Sequence, residues 1–151
     1  MSTTIHIATD HAGFELKELI KPYLQNKGLN VIDHGPELYM DSDDYPDYII
    51  PAVEAAVAAN EAAIVLGGSG TGEALAANKV PGARAALYYG GSEEILRLSR
   101  EHNNANVLSL GARFLTEMEI KNAIDVWLLA QWSNEDRHIR RLEKISKYES
   151  R

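Results

Sequence analysis

IVLGGSGTGEALAANK, residues 64–79, sets a short aliphatic run against Gly67, Gly68, Gly70 and Gly72 and then opens an alanine-rich stretch with one carboxylate, Glu73. An apolar run of strand length, a glycine turn and a helix-forming segment together form half of a βαβ unit, and that assignment decides the fold. Converging backbone N–H groups in such a turn, with a helix starting at once, form an anion site. The spacing excludes two phosphate-binding fingerprints. G-x-G-x-x-G would place glycine where Glu73 stands and belongs after a first strand, and no Gly-Lys-Ser/Thr follows as a P-loop requires. The plain structural alternative is a tight turn with a carboxylate favourably placed in the first turn of a helix.

Outward from this stretch the same alternation repeats. Strand-like runs lie at residues 4–8, 29–33, 62–66, 83–87 and 105–109, with helical patterns over 14–26, 47–59, 71–79, 91–101 and 116–131. In the first helix Phe14, Leu16, Leu19, Ile20, Tyr23 and Leu24 make one apolar stripe, Gly28 is placed to stop it, and Pro22 argues against a straight course. Five short strands alternating with helices imply a parallel sheet covered on both faces, a three-layer doubly wound α/β fold. After Trp132 the chain turns polar and charge-dense, predicting a C-terminal extension helix whose thin apolar edge is Ile139, Leu142 and Ile145, suited to docking on another subunit.

With 151 residues, 45% of them hydrophobic, the chain supports one core, and residues 1–151 are read as a single domain. A formal charge of −7 disfavours nucleic acid as partner, since phosphate contacts need a clustered basic face. The absence of cysteine excludes disulfides, a thiolate zinc site and a thiol nucleophile. No apolar run approaches the roughly 18 residues of a membrane span, and the first residues lack a signal-peptide pattern, so a cytoplasmic protein without membrane partners is expected. The five histidines, His6, His11, His34, His102 and His138, show no metal-ligand spacing such as H-E-x-x-H, and no metal is expected. The acidic run DSDD at 41–44 reads as a solvated loop; it lacks the glycine of a calcium loop.

Ligands of open α/β sheets bind beyond the carboxyl ends of the strands. The loops there are TDHAG after the first strand, GGSGTGE after the third, YYGG after the fourth and LGAR after the fifth. They present Asp10 and His11, Ser69, Gly70, Thr71, Gly72 and Glu73, and Arg113. For Asp10 the structural alternative is an N-cap, for Ser69 and Thr71 ordinary turn hydroxyls, and for His102 a dipole partner at a helix C-terminus. Arg137 and Arg141, four apart, point the same way on the terminal helix; salt bridges with Glu135, Asp136 and Glu143 are their alternative.

ATDHAGFELK (8–17), DYPDY (44–48), GGSGTGEALAANK (67–79), REHNNANVLSLGAR (100–113) and RHIRRLEKI (137–145) together resemble the ribose/galactose isomerase family, in order over nearly the whole chain. The resemblance implies a flavodoxin-like sheet and a metal-free, cofactor-free aldose–ketose isomerase of sugar phosphates, acting as homodimer or homotetramer with its site between two chains. Ribose 5-phosphate is the substrate it implies first. An aldose phosphate of four or six carbons is the alternative, and a non-catalytic flavodoxin-like module for a nucleotide or flavin is a more distant one.

The family divides over its base. Many members resemble this chain with a cysteine at the position of Ser69; another branch has serine there and a glutamate four residues on, as here. Glu73 is then the implied base, poised near neutrality if burial raises its pKa. The N–H groups of residues 70–73 would hold an enediolate oxygen, and Ser69 and Thr71 would bond the substrate. His102 would assist ring opening and Asn103 fix a hydroxyl. Asp10, His11 and Tyr45 match substrate-binding positions, and Arg113, Arg137 and Arg141 match those that meet phosphate.

Overall fold

The computed structural model describes residues 3–151. Five strands, Thr4–Thr9 (β1), Asn30–Asp33 (β2), Ala62–Gly67 (β3), Ala85–Tyr88 (β4) and Val107–Gly111 (β5), pair in parallel in the order β2-β1-β3-β5-β4. The sheet is flavodoxin-like with its last two strands exchanged, so β4 is an edge. Between them run Phe14–Asn26 (α1), Pro46–Ala59 (α2), Thr71–Ala77 (α3), Glu94–Glu101 (α4) and Glu117–Leu129 (α5), followed by Asp136–Glu149 (α6).

Period-two alternation in the central strands divides the core. Ile5 and Ile7 of β1, Ile64 and Leu66 of β3, and Leu108 and Leu110 of β5 meet Ile20 and Leu24 of α1, Leu96 of α4, and Ile120, Ile124 and Trp127 of α5. On the other face Ala8, Ala63, Val65 and Val107 meet Ile49, Val53 and Ala56 of α2 and Ala76 and Ala77 of α3. The first layer is bulky and the second small, so α2 and α3 approach the sheet closely. Each fully buried aliphatic side chain contributes about 1.5–3 kcal/mol of transfer free energy. No described helix is long and apolar enough to cross a membrane.

Boundaries differ from the sequence reading where local hydrogen bonding decides. Gly90 and Gly91, at φ 117 and 90°, cannot be helical, so α4 begins at Glu94 rather than residue 91. Ala105 N–H bonds the Ser99 carbonyl and Asn106 N–H that of Arg84, which delays β5 to Val107. Thr116 forms a capping box with Glu119 and fixes the start of α5. α1 runs through Pro22, and Gly28, at φ 83°, ends it as its sequence suggests. Of α6 only His138 is buried. Its apolar edge faces the β4 edge across a cavity of about 400 Å³ lined in part by Ala85, Ala86, Leu142 and Ile145.

One charge sits inside the α1 stripe. The Lys17 side chain is 0% exposed, and its Nζ donates to both carboxylate oxygens of Asp33 and to the Pro36 carbonyl, each at 2.8 Å. Burial alone would raise the Asp33 pKa, but hydrogen bonds from Lys17, Lys21 and the Gly35 N–H hold it below the usual range. A depressed carboxylate stabilises the fold at neutral pH and loses that contribution as pH falls through its folded-state pKa. Asp33→Ala leaves the buried ammonium only the Pro36 carbonyl and, at 3.3 Å, Glu18 Oε1, and should cost up to about 3–5 kcal/mol of unfolding free energy in urea. A loss within about 0.5 kcal/mol, typical of plain surface changes, would show the pair to be of no consequence.

Candidate active site

β1 and β3 are neighbours whose outgoing connections diverge, which opens a crevice at their carboxyl ends. Asp10 and His11 leave β1 there in a single 3₁₀ turn, His11–Gly13, that Asp10 caps by accepting the Ala12 N–H at 2.9 Å. The alternative structural role of Asp10 as an N-cap is therefore real. Opposite lies the loop 67–72.

The glycines of that loop prove to be needed mainly for space. A Cβ on Gly67 would fall 1.9 Å from Cδ of Glu73, so the Glu73 carboxyl group rests directly on the Gly67 backbone. A Cβ on Gly72 would strike the Tyr45 ring at 2.7 Å, and one on Gly68 would stand 3.2 Å from an Arg113 guanidinium nitrogen. Gly70 alone needs its conformational freedom, with φ 79° and the Leu110 backbone 3.0 Å from a would-be Cβ. Three bonds tie the loop to the β5 exit: Ala112 N–H to Gly67 O at 2.7 Å, Arg113 N–H to Gly68 O at 3.0 Å, and Ser109 Oγ to Gly70 O at 2.7 Å.

Glu73 is only 4% exposed although it belongs to the first turn of α3. Burial raises its pKa, and the charge of Asp10 adds to this, while its own N–H works the other way. Thr71 N–H donates to Ser69 Oγ at 3.2 Å, which fixes the hydroxyl of Ser69. With the Thr71 and Glu73 N–H groups so engaged, those of Gly68, Ser69, Gly70 and Gly72 have no acceptor among the described residues. Beside them His11 donates its backbone N–H to Asp43 Oδ1 at 3.0 Å and engages the same oxygen through Nδ1 at 2.7 Å. Asp10, His11 and Asp43 form a cluster in which each has a polar atom within 4.8 Å of the others.

Asp10, His11, Tyr45, Ser69, Gly70, Thr71, Gly72, Glu73 and Arg113 thus share one edge of the sheet. His102, Asn103, Arg137 and Arg141 do not join them. In a parallel sheet the helix preceding β5 ends at the amino edge, so His102 and Asn103 lie about 15 Å, one strand length, from the crevice of their own chain. There the His102 ring stacks on His138 at 4.2 Å between centroids, with Trp132 beyond at 6.3 Å, and Glu101 O accepts the Ser133 N–H. Burial, then the neighbouring His102, lowers the His138 pKa, and its Nε2 is buried without a partner. Arg137 pairs only with the exposed Glu135, and Arg141 forms no ion pair among the described residues, against the network with Asp136 and Glu143 that sequence allowed.

His138 and Asp43 are the residues that sequence reasoning did not single out. His138 lies inside the quoted RHIRRLEKI, but nothing in its spacing marks it as the support of a histidine so far back in the chain. Asp43 belongs to a run whose composition reads as solvated.

A parallel α/β sheet with a buried carboxylate of raised pKa beside the glycine-rich loop at its switch point is the arrangement of an enzyme for a small polar substrate. The profile of the ribose/galactose isomerase family matches residues 5–145. The ribose-5-phosphate isomerase B of Mycolicibacterium paratuberculosis is 44% identical over 146 residues, which cover 96% of this chain and 91% of that one. Among solved structures, the ribose-5-phosphate isomerase B of Mycoplasma genitalium with bound ribulose-5-phosphate superposes with a TM-score of 0.92 at 40% identity, covering 97% and 96% of the two chains. That of Thermotoga maritima gives 0.87 at 41% identity, covering 95% and 97%. The chain belongs to the ribose/galactose isomerase family, and the non-catalytic binding module falls away.

Proposed function

We propose that the protein interconverts ribose 5-phosphate and ribulose 5-phosphate through a cis-enediolate, in a site that two copies of the chain build together. The observation that carries this reading is the Glu73 carboxylate, largely buried against the Gly67 backbone at the carboxyl-end crevice. Its raised pKa suits a base that must both take and return a proton near neutrality. Glu73 removes the proton from C2 of the open aldose and delivers it to C1 while the O2 proton passes to O1 across the cis-enediolate, and the negative charge that develops on oxygen meets the Gly70 and Gly72 N–H groups. Ser69 and Thr71 bond sugar hydroxyls, and Tyr45, seated on Gly72, closes the side of the pocket.

The second copy supplies the amino-edge group. Its His102 moves a proton between the ring oxygen and O1 to open the furanose, and its Asn103 holds a hydroxyl. Its Arg137 and Arg141 then approach the phosphate from outside while Arg113 and His11 meet it from the carboxyl edge. The thin apolar edge of α6 and the exposed Leu75, Tyr89 and Phe114 support an assembly of at least two copies.

Proton transfer by Glu73 with backbone donors asks for no Lewis acid, so turnover should survive exhaustive chelation. The test is a panel of four-, five- and six-carbon aldose phosphates assayed with EDTA present. Preference for ribose 5-phosphate with undiminished rate is expected. Turnover lost to EDTA and restored by a divalent ion would refute the mechanism, and preference for another chain length would reassign the substrate.

A further inference from the structure

Asp43 does not behave as a member of a solvated acidic loop. Its side chain is 3% exposed while the flanking Asp41, Ser42 and Asp44 are exposed or nearly so, and its Oδ2 is buried with no hydrogen-bond partner. The other oxygen, Oδ1, receives both the backbone N–H and Nδ1 of His11, at 3.0 and 2.7 Å. A carboxylate desolvated to this degree is costly unless something nearby uses its charge. Among the described residues the only residue that the Asp43 carboxylate bonds is His11.

The geometry fixes what His11 can do. With Nδ1–H given to Asp43, the far nitrogen, Nε2, has no partner among the described residues and belongs to the 26% of the side chain that remains exposed. The Tyr39 ring meets the imidazole edge-on at 6.4 Å and Phe14 supports Tyr39 at 6.1 Å, which limits rotation of the ring. A neutral imidazole holding its proton on Nδ1 turns a bare acceptor toward the pocket and repels a phosphate. Only the imidazolium donates from both nitrogens.

We infer that Asp43 is a positioning residue for phosphate, holding His11 with Nε2 toward the crevice as a charged donor beside Arg113. The inference rests on the isomerase reading above and adds to it a residue that never touches substrate. The charged groups facing His11 are Asp43 from the loop before α2, Asp10 from the end of β1 and Arg113 from the end of β5. The bond to Asp43 is the largest influence and raises the His11 pKa; burial opposes it, Asp10 assists, and Arg113 opposes. A raised histidine pKa keeps the imidazolium present below that value and loses it as pH rises through it. Removing the Asp43 charge therefore brings the loss to lower pH.

Asp43→Asn keeps the shape and an acceptor for Nδ1–H but not the charge. KM for ribose 5-phosphate should stay near the native value at the acid end of the profile and exceed it by up to roughly 10-fold at pH values between the variant and native His11 titrations, the effect of one charged hydrogen bond lost, with kcat changed little. The same substitution in a His11→Gln background should add nothing, because the two act as one unit. An NMR titration of the imidazoles, with the His11 signal identified by its absence in His11→Gln, should show His11 titrating at lower pH in Asp43→Asn than in the native protein. A KM change equal at every pH, or an unmoved His11 titration, would overturn the inference. Should Asp43→Asn fail to fold, the native protein still decides: His11 titrating at or below the usual histidine value would overturn it as well. Native protein inactive on every aldose phosphate would instead refute the isomerase reading, with the titration still readable.

Discussion

Glu73→Gln abolishes most of the exchange of the substrate C2 hydrogen with deuterated water, by an expected 10² to 10⁴ fold or so, the range for loss of a general base. Glutamine fills the same space on Gly67 and keeps hydrogen-bonding capacity, so substrate still binds. Two further consequences separate this from misfolding. The ionised carboxylate is disfavoured by burial, so the native Glu73 costs stability at neutral pH, and the neutral variant should melt at higher temperature than the native protein. Adding Ser69→Cys to Glu73→Gln should restore part of the exchange, most at higher pH where the thiolate forms, because Ser69 sits in the same loop with its Oγ fixed by Thr71 N–H. Near-normal exchange in Glu73→Gln would return Glu73 to the role of a helix-start carboxylate.

Arg137→Ala and Arg141→Ala should each raise KM for the sugar phosphate by roughly 10 to 100 fold, about 1.5–3 kcal/mol for a lost charged hydrogen bond. Neither guanidinium supports its own chain. Arg137 holds only the exposed Glu135, and Arg141 has no ion pair among the described residues, so unfolding should be unchanged. The effect should fall with added salt, as for any charge that reaches its ligand across solvent. Normal KM in both variants would make α6 structural and place the phosphate elsewhere.

Much of this was legible from alternation alone. Aliphatic runs of strand length separated by amphipathic segments force a covered parallel sheet, and the loops after its strands then mark the crevice, which is why Asp10, Glu73 and Arg113 were found together. The exchange of β4 and β5 was not legible, because a periodic pattern gives the direction of strands but not their neighbours. The glycines misled in part: sequence shows where a side chain is missing but not whose space that leaves, and Gly67 and Gly72 serve Glu73 and Tyr45 more than they serve a ring of N–H donors. Buried charges hide in composition too. Lys17 interrupts an apolar stripe, and Asp43 sits in an acidic run. Their partners, Asp33 and His11, lie 16 and 32 residues away, beyond any local pattern.

In the proposed two-copy site, His102 and the two arginines on the far edge of the sheet belong to the neighbouring chain's crevice. Glu73→Gln and the Arg137→Ala/Arg141→Ala double variant, each poorly active alone, should complement when their subunits are mixed by co-expression. A mixed dimer of isologous symmetry holds one site with every defect and one with none, so random pairing should return about a quarter of the native kcat/KM, measured well below the native KM. Activity in the mixed sample no greater than the average of the two variants would contradict the account, because it would mean that Glu73 and the arginines serve one site within one chain.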